Sequence, residues 1–203
     1  MSEFPGIKVV ESTGRLPGFW NENAVFIANL LGLFFGNKEE TRMLSEEVGE
    51  VDSYGGRLLP LINLLYGGSG KNLLVLEREP DPDLREYFEG TAHLKIPETM
   101  ILPHQEYLVL GNEGNDSPLL DVIRDHAAER MDGYVTDSVL TKLAKKTGKR
   151  SFSSKNGSRK GNNKYLLHCF LEEAGLPAPR TEIAESTSDV GECLDRLEKA
   201  GFS

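Results

Sequence analysis

The sequence predicts an α/β layered domain over roughly residues 1–150. Ile7–Val10, Leu73–Leu76 and Tyr107–Leu110 read as short strands, and Leu73–Leu76 has the continuity of a buried parallel strand. Stretches with apolar residues every three or four positions alternate with them, and that order builds layered α/β folds. Apolar residues make up 38% of the 203 positions, enough to fill one large core or two small ones, and the signature of disorder is absent.

In chain order, Ile7–Val10 reads as the first strand, and Gly14, Pro17 and Gly18 break the loop Glu11–Asn23. Ala24–Phe35 is apolar nearly all round, so it reads as a buried helix, ended by Gly36-Asn37. It contains Asn29 and falls short of the ~20 residues that a membrane span needs. Lys38–Glu50 is charged and compatible with a helix, Val51–Gly56 is a turn region, and Arg57–Tyr66 is again apolar. Gly67–Asn72 turns the chain into the strand Leu73–Leu76. Asp81-Pro82-Asp83 opens a helix through Phe88, with Pro82 tolerated in the first turn and Gly90 as the stop. Prolines extend His93–Leu102, and Tyr107–Leu110 reads as a further strand.

Ser117-Pro118 places a capping residue before a proline suited to the first helical position. Leu120, Ile123, Ala127 and Met131 then follow at helical spacing, and Asp132-Gly133 closes that expected helix. Val139, Leu140, Leu143 and Ala144 form the apolar side of another helix, ending at Gly148. Arg150–Asn163 is rich in Ser, Gly, Asn, Lys and Arg, has Phe152 as its one apolar residue, and reads as a flexible linker or loop. Leu166, Leu167, Phe170, Leu171 and Ala174 then mark a helix with one buried face. Thr181–Ala184 is a candidate strand. Val190, Cys193, Leu194 and Leu197 give a last amphipathic helix, with cap candidates in Ser186–Asp189 and a stop at Gly201. No internal repeat is evident.

The net charge of −9 is uneven. Between Thr141 and Lys164 lie nine basic residues and no acid: Lys142, Lys145, Lys146, Lys149, Arg150, Lys155, Arg159, Lys160 and Lys164. Removing that +9 leaves the remainder of the chain at −18, so an anion-attracting segment sits on an acidic protein. Two readings stand for this window: a solvated helix face with a mobile linker, or a phosphate neighbourhood for a small nucleotide. Nucleic acid is disfavoured, because Phe152 and Tyr165 are the only aromatic residues there for stacking and the overall charge repels a polyanion. Two isolated cysteines, Cys169 and Cys193, and no leader pattern in Met1–Lys8 fit reduced thiols in a cytoplasmic protein.

Several motifs fail on their spacing. Leu65–Asn72, LYGGSGKN, lacks the first glycine and the final Ser/Thr of a phosphate loop and runs into a strand, so it reads as a turn. Gly14 to Gly18 lacks the dinucleotide fingerprint, although it follows a predicted strand. His93, His104, His126 and His168 form no zinc pattern with one another or with the cysteines, and no carboxylate pair stands out. These residues nominate no metal ligand and no catalytic residue.

Asn163–Thr181, NKYLLHCFLEEAGLPAPRT, carries the specific signal. An Asn-Lys pair opens a helix, Gly175 ends it, and Pro177 and Pro179 follow. This resembles the opening segment of ATP-grasp ligases, where an Asp/Asn-Lys pair starts a helix that ends in Gly-Leu/Ile/Val-Pro-x-Pro. The likeness is greatest to amino-acid and peptide ligases that carry a pre-ATP-grasp domain, and Asp132–Arg150 is similar to the helix ahead of the crossover in these enzymes. The resemblance implies a Rossmann-like pre-ATP-grasp domain with a parallel-rich sheet over 1–150, a basic linker over 151–163, and a short α+β segment over 164–203 that begins an ATP-grasp fold and is truncated.

It further implies that ATP and Mg2+ serve the complete enzyme, with neither held tightly by this chain alone. A substrate carboxylate would be phosphorylated and an amine would attack the acyl phosphate, so a downstream catalytic domain and small-molecule carboxylate and amine substrates are the implied partners. A second copy of the chain is left open as a partner. Lys164 is the residue matching the family's phosphate-contacting lysine, with a helix-start lysine in solvent as the alternative. Asn163 stands where many members have Asp. The rival to the ligase reading is a stand-alone, non-catalytic α/β ligand-binding or interaction module.

Overall fold

The computed structural model describes residues 22–30, 42, 59–66, 70–111 and 117–202. The chain divides into two compact units, Met1–Ser158 and Arg159–Ser203.

Among the described residues the first unit has five parallel strands: β1 (Ala24–Ile27), β2 (Leu73–Leu76), β3 (Glu98–Ile101), β4 (Arg130–Gly133) and β5 (Arg150–Ser151). Their order across the sheet is β3-β2-β1-β4-β5. The order reverses between β1 and β4, as in a Rossmann-like layout. The two innermost apolar strands, AVFI and LLVL, are buried at every position, as a sheet covered on both faces requires.

Alternate side chains of these strands enter two cores. Val25, Ile27, Leu73, Val75 and Met131 pack on one face against three helices: α3 (His104–Leu110), α4 (Pro118–Asp125) and α5 (Ser138–Thr147). Ala24, Phe26, Leu74 and Leu76 pack on the other against α1 (Leu59–Leu65) and Tyr66. A further short helix, α2 (Pro82–Glu86), is capped by Asp81 and continues as a π-helical turn through Thr91. Gly90 therefore does not stop it; the chain leaves the helix at Ala92 and takes a left-handed conformation at His93, φ 52°.

Further expectations change. Ala24–Phe35 is not one buried helix, because Ala24–Ile27 is the central strand β1; residues 31–35 lie outside the described residues. A short run that is apolar all round fits a doubly covered strand as well as a buried helix. Tyr107–Leu110 is helical instead of extended. Pro103 precedes the first turn of α3, and Tyr107 and Leu110 face inward one turn apart while Leu108 and Val109 are 41% and 48% exposed. The helix from Ser117 ends at Asp125, because His126 turns extended with ψ 138°. Met131 instead belongs to β4, and Asp132-Gly133 finish that strand.

Other expectations hold. Ser117 caps α4 with Pro118 behind it, and Asp137 caps α5, which ends on Gly148 at φ 71°. The expected linker is ordered differently: α6 (Lys155–Asn162) occupies most of 151–163 and runs across the boundary between the units. Ser154 caps it by accepting from the Gly157 N–H at 3.0 Å. Ile7–Val10 and, apart from Arg42, the segment 36–56 lie outside the described residues.

The second unit holds α7 (Lys164–Glu173) and α8 (Val190–Lys199). Gly175 takes φ 64°, and the Leu176 N–H donates back to the Leu171 carbonyl at 2.8 Å, which closes α7 as a glycine C-terminal cap does. Thr181–Ala184 forms no strand. A capping box of Ser186 and Asp189 leads into α8, and Cys193 is buried with its Sγ 3.4 Å from the Ile183 carbonyl oxygen.

Candidate functional site

In a parallel sheet whose strand order reverses, ligands bind beyond the C-terminal ends of the strands. In the first unit that edge carries three polar clusters, each joining the loops that follow neighbouring strands.

The first cluster spans the reversal itself. Asn29, two residues past β1 and 2% exposed, donates through Nδ2 to the Val135 carbonyl at 2.8 Å and to the Tyr107 hydroxyl at 3.3 Å. Its Oδ1 accepts from the Val135 N–H at 3.3 Å. Tyr107 donates to Asp137 Oδ1 at 2.8 Å, and the same carboxylate caps α5 through the Leu140 N–H at 2.7 Å. Burial, and then the Asp137 charge, push the Tyr107 hydroxyl above the ordinary tyrosine value, so it stays a donor. Gly133 is required here: a Cβ would sit 2.7 Å from Asn29 Oδ1 and 2.8 Å from the Ile27 carbonyl oxygen.

The second cluster joins the ends of β2 and β3. Glu77 follows β2 directly, and its Oε1 lies 3.1 Å from Nδ1 of His104, the first residue of α3. The third joins the loops after β4 and β5. The Thr136 hydroxyl bonds the Ser153 hydroxyl, the Thr136 N–H donates to Ser158 Oγ at 2.9 Å, and Lys155 Nζ donates to Ser138 Oγ at 2.6 Å.

Beneath this edge, on the second face, Tyr66 donates to Asp132, and Phe26, Tyr66, Tyr134 and Phe152 pack ring against ring at 5.2–6.4 Å. Arg130 lies over Phe152, 5.3 Å from its centroid, and pairs with Glu22. Burial pushes the Asp132 carboxyl above its ordinary value, against the opposing bonds from Tyr66 and the Gly133 N–H.

At the opposite edge the turn before β2 is structural. Asn72 Oδ1 accepts from the Ala24 N–H at 2.9 Å, and its Nδ2 donates to Asn63 Oδ1 at 3.0 Å. That agrees with reading Leu65–Asn72 as a turn into a strand, with residues 67–69 outside the described set. The described residues contain no convergent set of three His, Cys, Asp or Glu side chains.

The basic window separates into two groups. Lys149 is buried and donates to the carbonyls of His126 at 2.9 Å and Ala128 at 2.6 Å. Burial pushes its ammonium below the ordinary lysine value. Lys146 donates to the Leu110 carbonyl at 3.0 Å, and Arg150 pairs with Glu129 at 3.2 Å. Lys149 and Lys146 are thus tied to main-chain carbonyls, whereas the Arg150–Glu129 pair lies on the surface. Lys142, Lys145, Lys155, Arg159, Lys160 and Lys164 are exposed.

Lys164 is the first residue of α7 in the second unit, and Asn163 Oδ1 caps that helix through the Leu166 N–H at 2.9 Å. Asn and Asp cap a helix about equally well. A lysine at the positive end of the helix dipole contributes nothing favourable to the helix, so its charge is free for an anion.

Sequence reading did not single out Tyr107, Asp137, Thr136 or the Glu77–His104 pair. Asn29 had a visible signal, an amide inside an apolar run. The others are joined by distant partners, 78 positions away in sequence for Tyr107 and Asn29, and no local pattern announces them. No protein-family model, curated protein or solved structure matches the chain. Among the described residues no helix is long and apolar enough to cross a membrane.

Proposed function

We propose that this chain is the N-terminal portion of an ATP-dependent carboxylate–amine ligase of the ATP-grasp type. The observation that carries the reading is the form of Asn163–Thr181: an Asn-capped helix with lysine at its first position, closed by a left-handed Gly175 and followed by Pro177 and Pro179. The five-stranded parallel sheet ahead of it supports the reading, as a Rossmann-like domain in the expected order.

In this reading the C-terminal edge of the sheet binds a small substrate, and the Lys164 ammonium meets the ATP phosphates as a mobile point charge. ATP, with Mg2+, supplies the phosphoryl group that activates the carboxylate. In this reading the ligands of the metal belong to the downstream domain.

The test is the complete reading frame assayed for ATP consumption with carboxylate and amine mixtures. Lys164→Ala is expected to raise the KM for ATP by roughly tenfold, the scale of one charge-assisted phosphate contact. An unchanged KM removes Lys164 from the site. The three polar clusters of that edge all lie within the first unit, which favours the second reading, a non-catalytic binding module. Ligand binding without ATP consumption in the complete protein would select it.

A further inference from the structure

We infer that the loops after β4 and β5 form an oxyanion subsite, built from Thr136, Ser138, Ser153, Lys155 and Ser158, that takes a carboxylate or phosphate group. The inference goes beyond the ligase reading, since every residue it needs lies in Met1–Ser158 and none is Lys164. It rests on side chains and not on the start of α6, where Ser154 already occupies the Gly157 N–H.

The argument is one of charge and donors. Four hydroxyls and one ammonium, from the loops after β4 and β5 and the first turns of α5 and α6, lie at the C-terminal edge of the sheet, beside the reversal in strand order. Thr136 is 1% exposed, and its hydroxyl reaches the exposed Ser153 hydroxyl, with either oxygen able to donate. Asp137 is the acid between Thr136 and Ser138, and its carboxylate is engaged by Tyr107 and the Leu140 N–H. Lys155 is exposed, and its ammonium rests on a neutral serine hydroxyl with no carboxylate partner among the described residues. A cation on a neutral partner gains from an incoming anion, and rotatable hydroxyls can redirect their protons toward it. The bonds Thr136–Ser153 and Lys155–Ser138 are those an oxyanion would replace.

The experiment is a titration of the full chain with inorganic phosphate and, separately, with acetate, followed by the amide resonances of Thr136 and Ser158. A saturable shift at both amides is expected with at least one anion. The stronger of the two identifies a phosphate or a carboxylate as the natural group. Lys155→Ala should weaken that binding by about tenfold, while Lys142→Ala, which removes an exposed cation on α5, should leave it unchanged. Absence of a saturable shift with either anion overturns the inference. Equal weakening by both variants also overturns it, because the attraction would then be diffuse charge.

Discussion

Asn29 shows how much one side chain can hold. It satisfies both the N–H and the carbonyl of Val135 and bonds the Tyr107 hydroxyl, so it fixes the loop after β4 against the end of β1. Removing it leaves buried donors and acceptors unpaired at about 1–3 kcal/mol each. Asn29→Ala is expected to destabilise the first unit by at least about 2 kcal/mol in urea unfolding, and a loss below about 0.5 kcal/mol would refute its role. Gly133→Ala should be comparably damaging, because the nearest atoms include a backbone oxygen that cannot rotate away.

Asp132 makes the opposite prediction. Burial raises its carboxyl pKa above the unfolded value, so its favourable contribution is fully present below the unfolded pKa. That contribution is lost as pH rises through the folded pKa. At neutral pH the buried charge is a cost. Asp132→Asn keeps an acceptor for Tyr66 and should be at least as stable as the parent near neutrality, with the advantage disappearing in acid. Urea midpoints measured across that range would decide it.

Among the elements, those with local signals were legible. Leu73–Leu76 is a continuous apolar run between turns, α4 and α7 begin on Ser117 and Asn163 as capping chemistry requires, and α5 shows its apolar side and its stop at Gly148. The failures share a cause: β1 and α3 both come from short apolar runs whose state depends on what covers them. Two covered faces make Ala24–Ile27 a strand, while one covered face makes His104–Leu110 a helix. Met131 lay at helical spacing from Ile123 by coincidence, since the extended backbone at His126 separates them.

The helix α6 formed against its composition, with Gly157 and Gly161 inside it and no buried residue. A Cβ at Gly161 would meet nothing within 4 Å. Gly161→Ala should therefore stabilise α6 by roughly 0.5–1 kcal/mol through helix propensity alone. Amide exchange across Lys155–Asn162 should slow by a corresponding factor of a few; exchange that quickens would mean the segment is not helical in solution.

At the scale of the whole molecule, sequence conveyed the class of fold but not the order of its strands. Nothing in the local pattern of β1 states that it lies between β2 and β4, because that arrangement is decided by pairing across long separations. The candidate site was hidden for the same reason. The nine-cation window was visible, but the division between Lys149, buried on carbonyl oxygens, and Lys155, exposed on a serine, is made by tertiary structure.

The central place of β1 also sets the timetable of folding. Its backbone meets the start of β2 48 positions on, at Asn72, and its exit loop closes on Val135, 106 positions on. One edge of the strand can therefore pair once β2 is made, while the other stays unpaired until β4, beyond the middle of the chain, has followed. Closing such long loops carries its entropic cost before any contact rewards it, so this unit belongs among the slower folders. A nascent chain halted before residue 130 would carry β1 with one bare edge, a hazard for association with other chains during synthesis.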